Sequence, residues 1–117
     1  MSYDDNNIFA KILRKEIPCN KIYEDEFTFA FRDINPVAPT HILVIPKVHV
    51  SGLNDIKIDD VNIMSKLTLS AQKIIDLEGI KDSGFRFVIN SGMDGGQTVF
   101  HLHLHILGGR KLKWPPG

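Results

Sequence analysis

The sequence has one cysteine, no excess charge of either sign and no long apolar run. Cys19 alone cannot form a disulfide within the chain, which excludes a disulfide-stapled secreted scaffold and favours a reducing compartment. The 14 Lys and Arg residues balance 14 Asp and Glu residues, so the chain lacks the basic surface that duplex nucleic acid or an anionic membrane would attract. Apolar runs such as residues 42–45 fall far short of the roughly 20 residues of a membrane-spanning helix.

What the sequence does have is the composition of one globular domain. Its 117 residues are 43% hydrophobic and 24% charged, which excludes disorder and low complexity. We expect a single domain over residues 1–117, in which residues 1–6 are flexible and residues 110–117 form a tail. With an acidic start and no signal peptide, the protein is expected to be cytoplasmic, and presence in the nucleus is compatible with this.

Hydrophobic periodicity predicts two helices of unequal length. The first spans residues 8–15 and is preceded by polar residues that can cap it. The second spans residues 59–78, with Asp59 or Asp60 as its expected N-cap and Gly79 as its stop.

Four segments predict strands. Residues 27–32 alternate between two faces, and residues 42–45, bracketed by prolines, are typical of a central strand covered on both faces. Residues 85–90 and 98–107 flank the glycine-rich turn at 91–96 and predict a hairpin. The fold class is therefore α+β, with the helices on one face of an antiparallel sheet.

The most informative segment is residues 101–107, HLHLHIL, within the last predicted strand. Side chains alternate between the two faces of a strand, so His101, His103 and His105 would project from one face while the aliphatic residues anchor the other. For one histidine, a structural role is the ordinary interpretation. Three histidines spaced by two residues favour a functional site.

Two kinds of site fit such a row of imidazoles. Histidines on a strand can bind zinc, but only Asp94 is nearby as a supporting carboxylate, and three successive same-face positions spread too far to converge on one tetrahedral ion. An anion site is favoured by Gly95 and Gly96, which let backbone amides approach a ligand, and by the polar groups of Gln97 and Thr98. The sequence therefore favours a phosphoryl group over a metal ion.

Residues 101–107 resemble the signature of the histidine-triad (HIT) family of nucleotide-binding hydrolases and transferases. The resemblance extends from residues 8–9 through 32–34 and 39–47 to 94–97, and the closing sequence WPPG points to the Hint branch. It implies a HIT-like fold: an antiparallel sheet of about five strands with one long and one short helix, which dimerises into a continuous larger sheet.

The resemblance also implies an activity. Hint proteins hydrolyse purine nucleoside phosphoramidates, cleaving the phosphorus–nitrogen bond of an AMP-amine through a covalent nucleotidyl-histidine, as an adenosine 5′-monophosphoramidase does. By the family pattern His103 is the nucleophile and His101 and His105 support it. His41 matches a further histidine near the phosphate, and His49 is interpreted as a structural or surface residue.

A nucleotide site follows from the same resemblance. Asp33 matches the acid that holds the ribose hydroxyls, and Trp114 in the tail is expected near the dimer interface and the partner's pocket. Thr98 stands where the Hint pattern usually has serine, which keeps the hydroxyl and adds a methyl group. The nucleotide-binding residues implied are Asp33, Ile34, Asn90, Gly96, Gln97, Thr98, His103 and His105, with Phe9, Ile12 and Phe31 around the base.

Two other functions stay open from the sequence. The chain could be a non-catalytic nucleotide-binding or scaffold module, or a dinucleoside polyphosphate hydrolase. The complete triad favours an enzyme, because simple binding needs no nucleophile in line with phosphorus. No cofactor or metal ion is expected, and the expected partners are a purine nucleotide of the AMP or GMP type and a second copy of the chain.

Overall fold

The computed structural model describes residues 2–117, and its core element is a five-stranded antiparallel sheet. The strands lie in the spatial order β1-β2-β3-β5-β4, and every neighbouring pair is antiparallel. This confirms the α+β fold class. The elements are α1 (Ile8–Leu13), β1 (Lys21–Glu24), β2 (Thr28–Arg32), β3 (Thr40–Pro46), α2 (Ile63–Glu78), β4 (Phe85–Val88) and β5 (Leu104–Gly108).

Strand β3 occupies the centre of the sheet, as its sequence predicted. All seven of its residues are buried. Phe31 pairs with Leu43, and Leu43 pairs with His105, so these three side chains point to one face of the sheet. Ala30 and Val44, also paired, point to the other face. Both faces of the central strands are therefore apolar.

The helices cover opposite faces of the sheet, so the prediction that both lie on one face was wrong. Helix α2 packs Leu67 and Ile74 into the larger cluster with Val44, whereas α1 packs Phe9 and Ile12 against the Phe31 face. The physical reason is the two-sided apolar pattern of β2 and β3. A sheet with two apolar faces needs a cover on each side.

The capping residues in the sequence predicted the start of α1 and the end of α2 correctly, but not the start of α2. Asn7 caps α1 by accepting a hydrogen bond from the Ala10 amide at 2.9 Å, and Gly79 ends α2 with a left-handed φ of 69°. Helix α2 begins at Ile63 rather than at 59, because residues 58–60 form a separate 3₁₀ turn. Neither described helix has both the length and the apolar character needed to cross a membrane.

The last strand is shorter than predicted. Strand β5 begins at Leu104, and residues 98–103 run as irregular chain beside the sheet. The chain leaves the ladder because the Leu102 amide donates to the Val50 carbonyl, at 2.7 Å, instead of to a strand. Of the three histidines only His105 therefore lies in a strand. The aliphatic residues between the histidines are buried as expected.

A residue near each end of the described chain contacts the body of the domain. Tyr3 belongs to the segment predicted to be flexible, residues 1–6, and its ring stacks on His49 with ring centroids 4.5 Å apart. Met1 of the same segment lies outside the described residues. In the tail, Arg110 donates to the Val37 carbonyl at 2.9 Å. Trp114 is 79% exposed and lies 5.8 Å from the Arg86 guanidinium of β4.

A polar cluster joins α2 to the turn between β1 and β2. The Asp25 carboxylate accepts hydrogen bonds from the Phe27 and Thr28 amides, each at 2.8 Å, and from the hydroxyls of Tyr23 and Ser70. Burial alone would raise the pKa of Asp25, but the hydrogen bonds outweigh burial and lower this pKa to about 2.

We expect Asp25→Asn to lower the free energy of unfolding at pH 7 by about 1–3 kcal/mol, since it removes a charged acceptor of several hydrogen bonds. An unfolded aspartate has a pKa of about 3.9, so the carboxylate stabilises the fold above that pH and this contribution is lost as pH falls toward 2. Urea denaturation at pH 7 and pH 3 measures the difference, with the exposed Asp59→Asn as control. An equal loss in both variants, or a loss independent of pH, would contradict the assignment.

Candidate functional site

A cavity of about 260 Å³ opens on the face of the sheet that α1 covers. Its walls are predominantly apolar, and its polar lining residues include two histidines and an aspartate. Such a combination suits a ligand with a flat apolar part and an anionic part. The lining residues are Ile8, Phe9, Ile12, Ile17, Pro18, Cys19, Phe31, Arg32, Asp33, Ile34, Asn35, Leu43, Thr98, Val99, His103 and His105.

Strand register and one aromatic contact position the two histidines of the cavity. His105 faces the cavity because it pairs with Leu43, which shares its face with Phe31. His103 lies just before β5, and Phe9 of α1 contacts its ring edge-to-face, with centroids 4.9 Å apart and an interplanar angle of 86°. The two imidazole centroids are 5.0 Å apart.

The backbone determines the tautomer of His103. Its Nδ1 lies 2.6 Å from the His101 carbonyl oxygen, which can only accept a hydrogen bond, so Nδ1 carries the proton. Burial lowers the pKa of His103 and keeps the ring neutral. Nε2 of His103 therefore holds a free lone pair, which is the state that a nucleophilic imidazole requires.

A second chain of hydrogen bonds determines the tautomer of His105. The Val37 amide donates to Nδ1 of His41 at 3.1 Å, so the proton of His41 is on Nε2. That nitrogen lies 2.9 Å from Nδ1 of His105 and donates to it. The proton of His105 is therefore on Nε2. Among the described residues, His105 Nε2 is the one buried side-chain polar atom without a partner.

Electrostatics keep this second pair of rings neutral. Burial, reinforced by the neighbouring rings of His103 and His41, lowers the pKa of His105 to about 4. Burial also lowers the pKa of His41, against the opposing effect of Asp33, whose Oδ2 lies 3.3 Å from His41 Nε2. A neutral His105 offers its unpartnered N–H as a hydrogen-bond donor to a ligand in the cavity.

His101 and His41 lie behind the cavity and orient the rings that line it. His101 is fully buried, and its Nε2 donates to the Pro46 carbonyl at 2.8 Å. Burial lowers the pKa of His101 to about 4. The backbone carbonyl of the same residue holds His103, and His41 holds His105. Each cavity histidine thus has a supporting histidine.

The structure brings most of the predicted site residues together at the cavity and leaves six outside it, of which His41 and His101 support the cavity histidines from behind. Asn90 follows β4 and does not line the cavity, nor does Trp114 of the same chain. Gly96 and Gln97 also lie outside it. Those that line it are Phe9, Ile12, Phe31, Asp33, Ile34, Thr98, His103 and His105.

The donors expected from the glycine-rich loop are used inside the loop. The Gly96 amide donates to the Met93 carbonyl and the Gln97 amide to the Gly92 carbonyl, both at 3.0 Å. The Gln97 side chain accepts from the Gly92 amide and donates to the Ser51 carbonyl. The Gly96 and Gln97 amides thus help the loop to close its own turn, and the contact of these two residues with an anion stays a prediction.

Sequence reasoning missed several lining residues. Leu43 could have been found, because it pairs with the predicted residue Phe31 and its side chain therefore points to the same face of the sheet. Residues 17–19 carry no such signal, since tertiary packing alone brings the connection after α1 to the cavity. Tyr3, whose hydroxyl contacts the His101 ring, was missed because it lies in the segment predicted to be flexible.

Asp33, His41 and His105 are the group of potential metal ligands nearest the cavity. Their candidate donor atoms all lie within 4.8 Å of one another. A zinc ion with bonds of about 2.0–2.1 Å to two imidazole nitrogens in tetrahedral geometry holds those nitrogens about 3.3 Å apart. The nitrogens of His41 and His105 share a proton across 2.9 Å, so an ion would have to displace that proton and separate the rings.

Known proteins are similar to this chain along nearly its whole length. The model of the HIT domain family matches residues 14–112. A purine nucleoside phosphoramidase of Escherichia coli is 44% identical over 108 residues, covering 92% of this chain and 91% of that protein. A 14 kDa zinc-binding protein of Zea mays is 50% identical over 116 residues, covering 97% and 90%. The crystal structure of a HIT family hydrolase from Legionella pneumophila matches with a TM-score of 0.92 at 46% identity, covering 96% of this chain and all of that one.

We expect the rings of His101 and His105 to titrate near pH 4, below the ordinary value of about 6.5, because burial disfavours their charged forms. The unfolded chain binds these protons near pH 6.5, so the fold loses stability as pH falls from about 6.5 toward 4. Imidazole nitrogen resonances followed against pH measure both midpoints, with the urea-unfolded chain as reference. A midpoint near 6.5 for either ring would show that it is solvated and would overturn the assignment.

Proposed function

The chain belongs to the HIT domain family, and from this membership we propose that it hydrolyses purine nucleoside phosphoramidates to a nucleoside monophosphate and an amine. The observation that carries the proposal is the pair of tautomers in the cavity. His103 presents a lone pair on Nε2, and His105 presents an unpartnered N–H beside it. A binding site for phosphate alone needs donors and no nucleophile.

In the proposed first step, Nε2 of His103 attacks the α-phosphorus of the substrate. The bond from Nε2 to phosphorus forms as the bond from phosphorus to the leaving nitrogen breaks, which gives a nucleotidyl-histidine. Charge on the ring is stabilised by the His101 carbonyl, which accepts the Nδ1 proton at 2.6 Å. The N–H of His105 donates a hydrogen bond to a phosphoryl oxygen or to the leaving nitrogen.

In the second step, water attacks the same phosphorus and the bond to His103 breaks. The first displacement takes up one proton for the leaving amine, and the second releases one proton from water, so turnover restores the starting state of the site. Dividing the reaction in this way lets the amine leave before water attacks. Neither step requires a metal ion.

The rest of the cavity suits a purine nucleotide. Asp33 lines it with a carboxylate that can accept hydrogen bonds from ribose hydroxyls, and one of its oxygens already accepts from the Asn35 amide at 2.8 Å. Phe9, Ile12 and Phe31 supply a buried apolar wall on which a base can pack. Thr98 also lines the cavity, from the irregular segment before the triad, and its side chain carries a hydroxyl that can hydrogen-bond to a ligand.

We also propose that the protein is a homodimer joined along β4. Strand β4 is an edge of the sheet, and its Phe85 is 42% exposed. An exposed apolar side chain on an edge strand favours association with a second sheet, and α2 contributes two further exposed apolar residues, Leu69 and Leu77. Trp114 of the tail lies 5.8 Å from the Arg86 guanidinium of β4, and this contact supports a tail near the proposed interface.

Removal of the nucleophile should abolish turnover while nucleotide binding is retained. We expect His103→Ala to lower hydrolysis of adenosine 5′-phosphoramidate by at least about a thousandfold and to eliminate the nucleotidyl adduct seen by intact mass spectrometry. Wild-type turnover should persist with a chelator and exceed that on a diadenosine polyphosphate.

Each alternative has its own outcome in this assay. Wild-type turnover in the His103→Ala variant would remove the assignment of the nucleophile. AMP binding without turnover on either substrate would indicate a binding module, and faster cleavage of the diadenosine polyphosphate would indicate a dinucleoside polyphosphate hydrolase. Loss of activity with the chelator, restored by zinc, would support a metal-dependent enzyme, the alternative that the name of the maize relative raises.

A charge on the β4 edge should separate the dimer. We expect wild-type protein to sediment as a dimer at micromolar concentration and Phe85→Glu to sediment as a monomer, because the charge would be buried in the joined sheet. Phe27→Glu is the matched control, since Phe27 is exposed to nearly the same extent, 44%, away from that edge. A monomeric wild type, or dissociation of both variants alike, would contradict an interface at β4.

A further inference from the structure

The N-terminal segment makes a specific contact with the back of the triad. The Tyr3 hydroxyl lies 2.6 Å from Nδ1 of His101, although 98 residues separate the two in the chain. The Tyr3 ring stacks on His49, with centroids 4.5 Å apart and an interplanar angle of 11°. Tyr3 does not line the catalytic cavity. The contact of Tyr3 with His101 can therefore act on the site only by supporting the residues behind the cavity.

The direction of this hydrogen bond follows from the other nitrogen of the ring. Nε2 of His101 donates to the Pro46 carbonyl, so Nδ1 of the neutral ring holds a lone pair and the Tyr3 hydroxyl donates to it. Burial raises the pKa of Tyr3, which keeps the hydroxyl protonated, and lowers the pKa of His101, which keeps the ring neutral. Both nitrogens of His101 are thus occupied.

His101 needs this support because it lies outside the sheet. Strand β5 begins only at Leu104, so no strand ladder orients the peptide that carries the His101 carbonyl. The neighbouring Leu102 amide is held by the Val50 carbonyl, and the ring of His101 is held between Pro46 and Tyr3. These bonds replace strand pairing at the point where the nucleophile is oriented.

We propose that Tyr3 is a positioning residue for the nucleophile, acting through the His101 ring on the backbone carbonyl that holds Nδ1 of His103. This rests on the proposed function for its kinetic consequence. The chain of contacts runs from the Tyr3 hydroxyl to the His101 ring, from the His101 carbonyl to the His103 ring, and from there to the attacking nitrogen. Tyr3 is then part of the support that orients the nucleophile.

The substitution Tyr3→Phe isolates the hydroxyl. It keeps the ring that stacks on His49 and leaves Nδ1 of His101 as a buried acceptor without its donor. We expect the rate of nucleotidyl-histidine formation in a single turnover to fall about tenfold, since small displacements of a reacting group are costly. The dissociation constant for AMP should stay unchanged, because Tyr3 is outside the cavity.

The matched control is Tyr23→Phe, which removes the only other tyrosine hydroxyl of the chain. Tyr23 donates to Asp25 beside β1 and has no contact with the triad. We expect this variant to lose some stability and to form the intermediate at the wild-type rate. The comparison separates loss of a tyrosine hydrogen bond in general from loss of the one at His101.

A spectroscopic measurement tests the contact without substrate. In Tyr3→Phe, the Nδ1 resonance of His101 should move toward that of a free imidazole nitrogen, and the downfield Nδ1 proton of His103 should broaden or shift upfield. In Tyr23→Phe both signals should match wild type. These signals do not depend on turnover, so they test the contact even if the wild-type protein proves inactive toward phosphoramidates.

Unchanged His101 and His103 signals in Tyr3→Phe would overturn the inference, whatever the activity of the wild type. Changed signals with a wild-type rate of intermediate formation would also overturn it, since the contact would then be structural alone. Changed signals together with a slower first step and unchanged AMP binding would support it. Changed signals in a wild-type protein that lacks phosphoramidase activity would refute the proposed function and leave the orientation of His103 by Tyr3 supported.

Discussion

The site depends on one hydrogen bond, from Nδ1 of His103 to the backbone carbonyl of His101, two residues earlier. The residues that form this bond precede β5, which begins at Leu104. Their support comes instead from the Leu102 amide, which donates to the Val50 carbonyl, and from the His101 ring, which donates to the Pro46 carbonyl. The tautomer of the reacting ring is thus defined by a segment that tertiary hydrogen bonds hold in place.

Burial then decides the protonation of the whole cluster. Desolvation lowers the pKa values of His41, His101, His103 and His105, and for His101 and His105 the result is about 4. Neutral rings have one donor and one acceptor each, so a single backbone partner is enough to assign both nitrogens. Backbone carbonyls determine the tautomers of His101 and His103. The Val37 amide determines the tautomer of His41, and His41 in turn determines that of His105. The backbone thereby determines the chemistry of four side chains.

Much of this arrangement is encoded locally and could be predicted. The β-branched run of β3 identified the central strand, Asn7 and Gly79 identified two helix ends, and the alternation of histidines identified the site. What could not be predicted depends on tertiary contacts. The last strand was overextended because alternation in sequence does not reveal that the Leu102 amide is bound by Val50. The hydrogen bonds that the Gly96 and Gln97 amides make inside their loop could not be predicted either, because a glycine-rich segment does not disclose which of its donors close its own turn.

The two faces of the sheet also have different roles: one carries most of the core and the other carries the cavity. The larger apolar cluster lies under α2 and contains most of the buried aliphatic residues, whereas the smaller one under α1 shares its residues with the cavity. Substitutions that reshape the α1 side can therefore alter which molecules fit while the opposite cluster sustains folding. The partition extends to single strands: on β3, Leu43 lines the cavity while its neighbour Val44 belongs to the larger cluster, so adjacent residues of one strand serve ligand shape and folding separately.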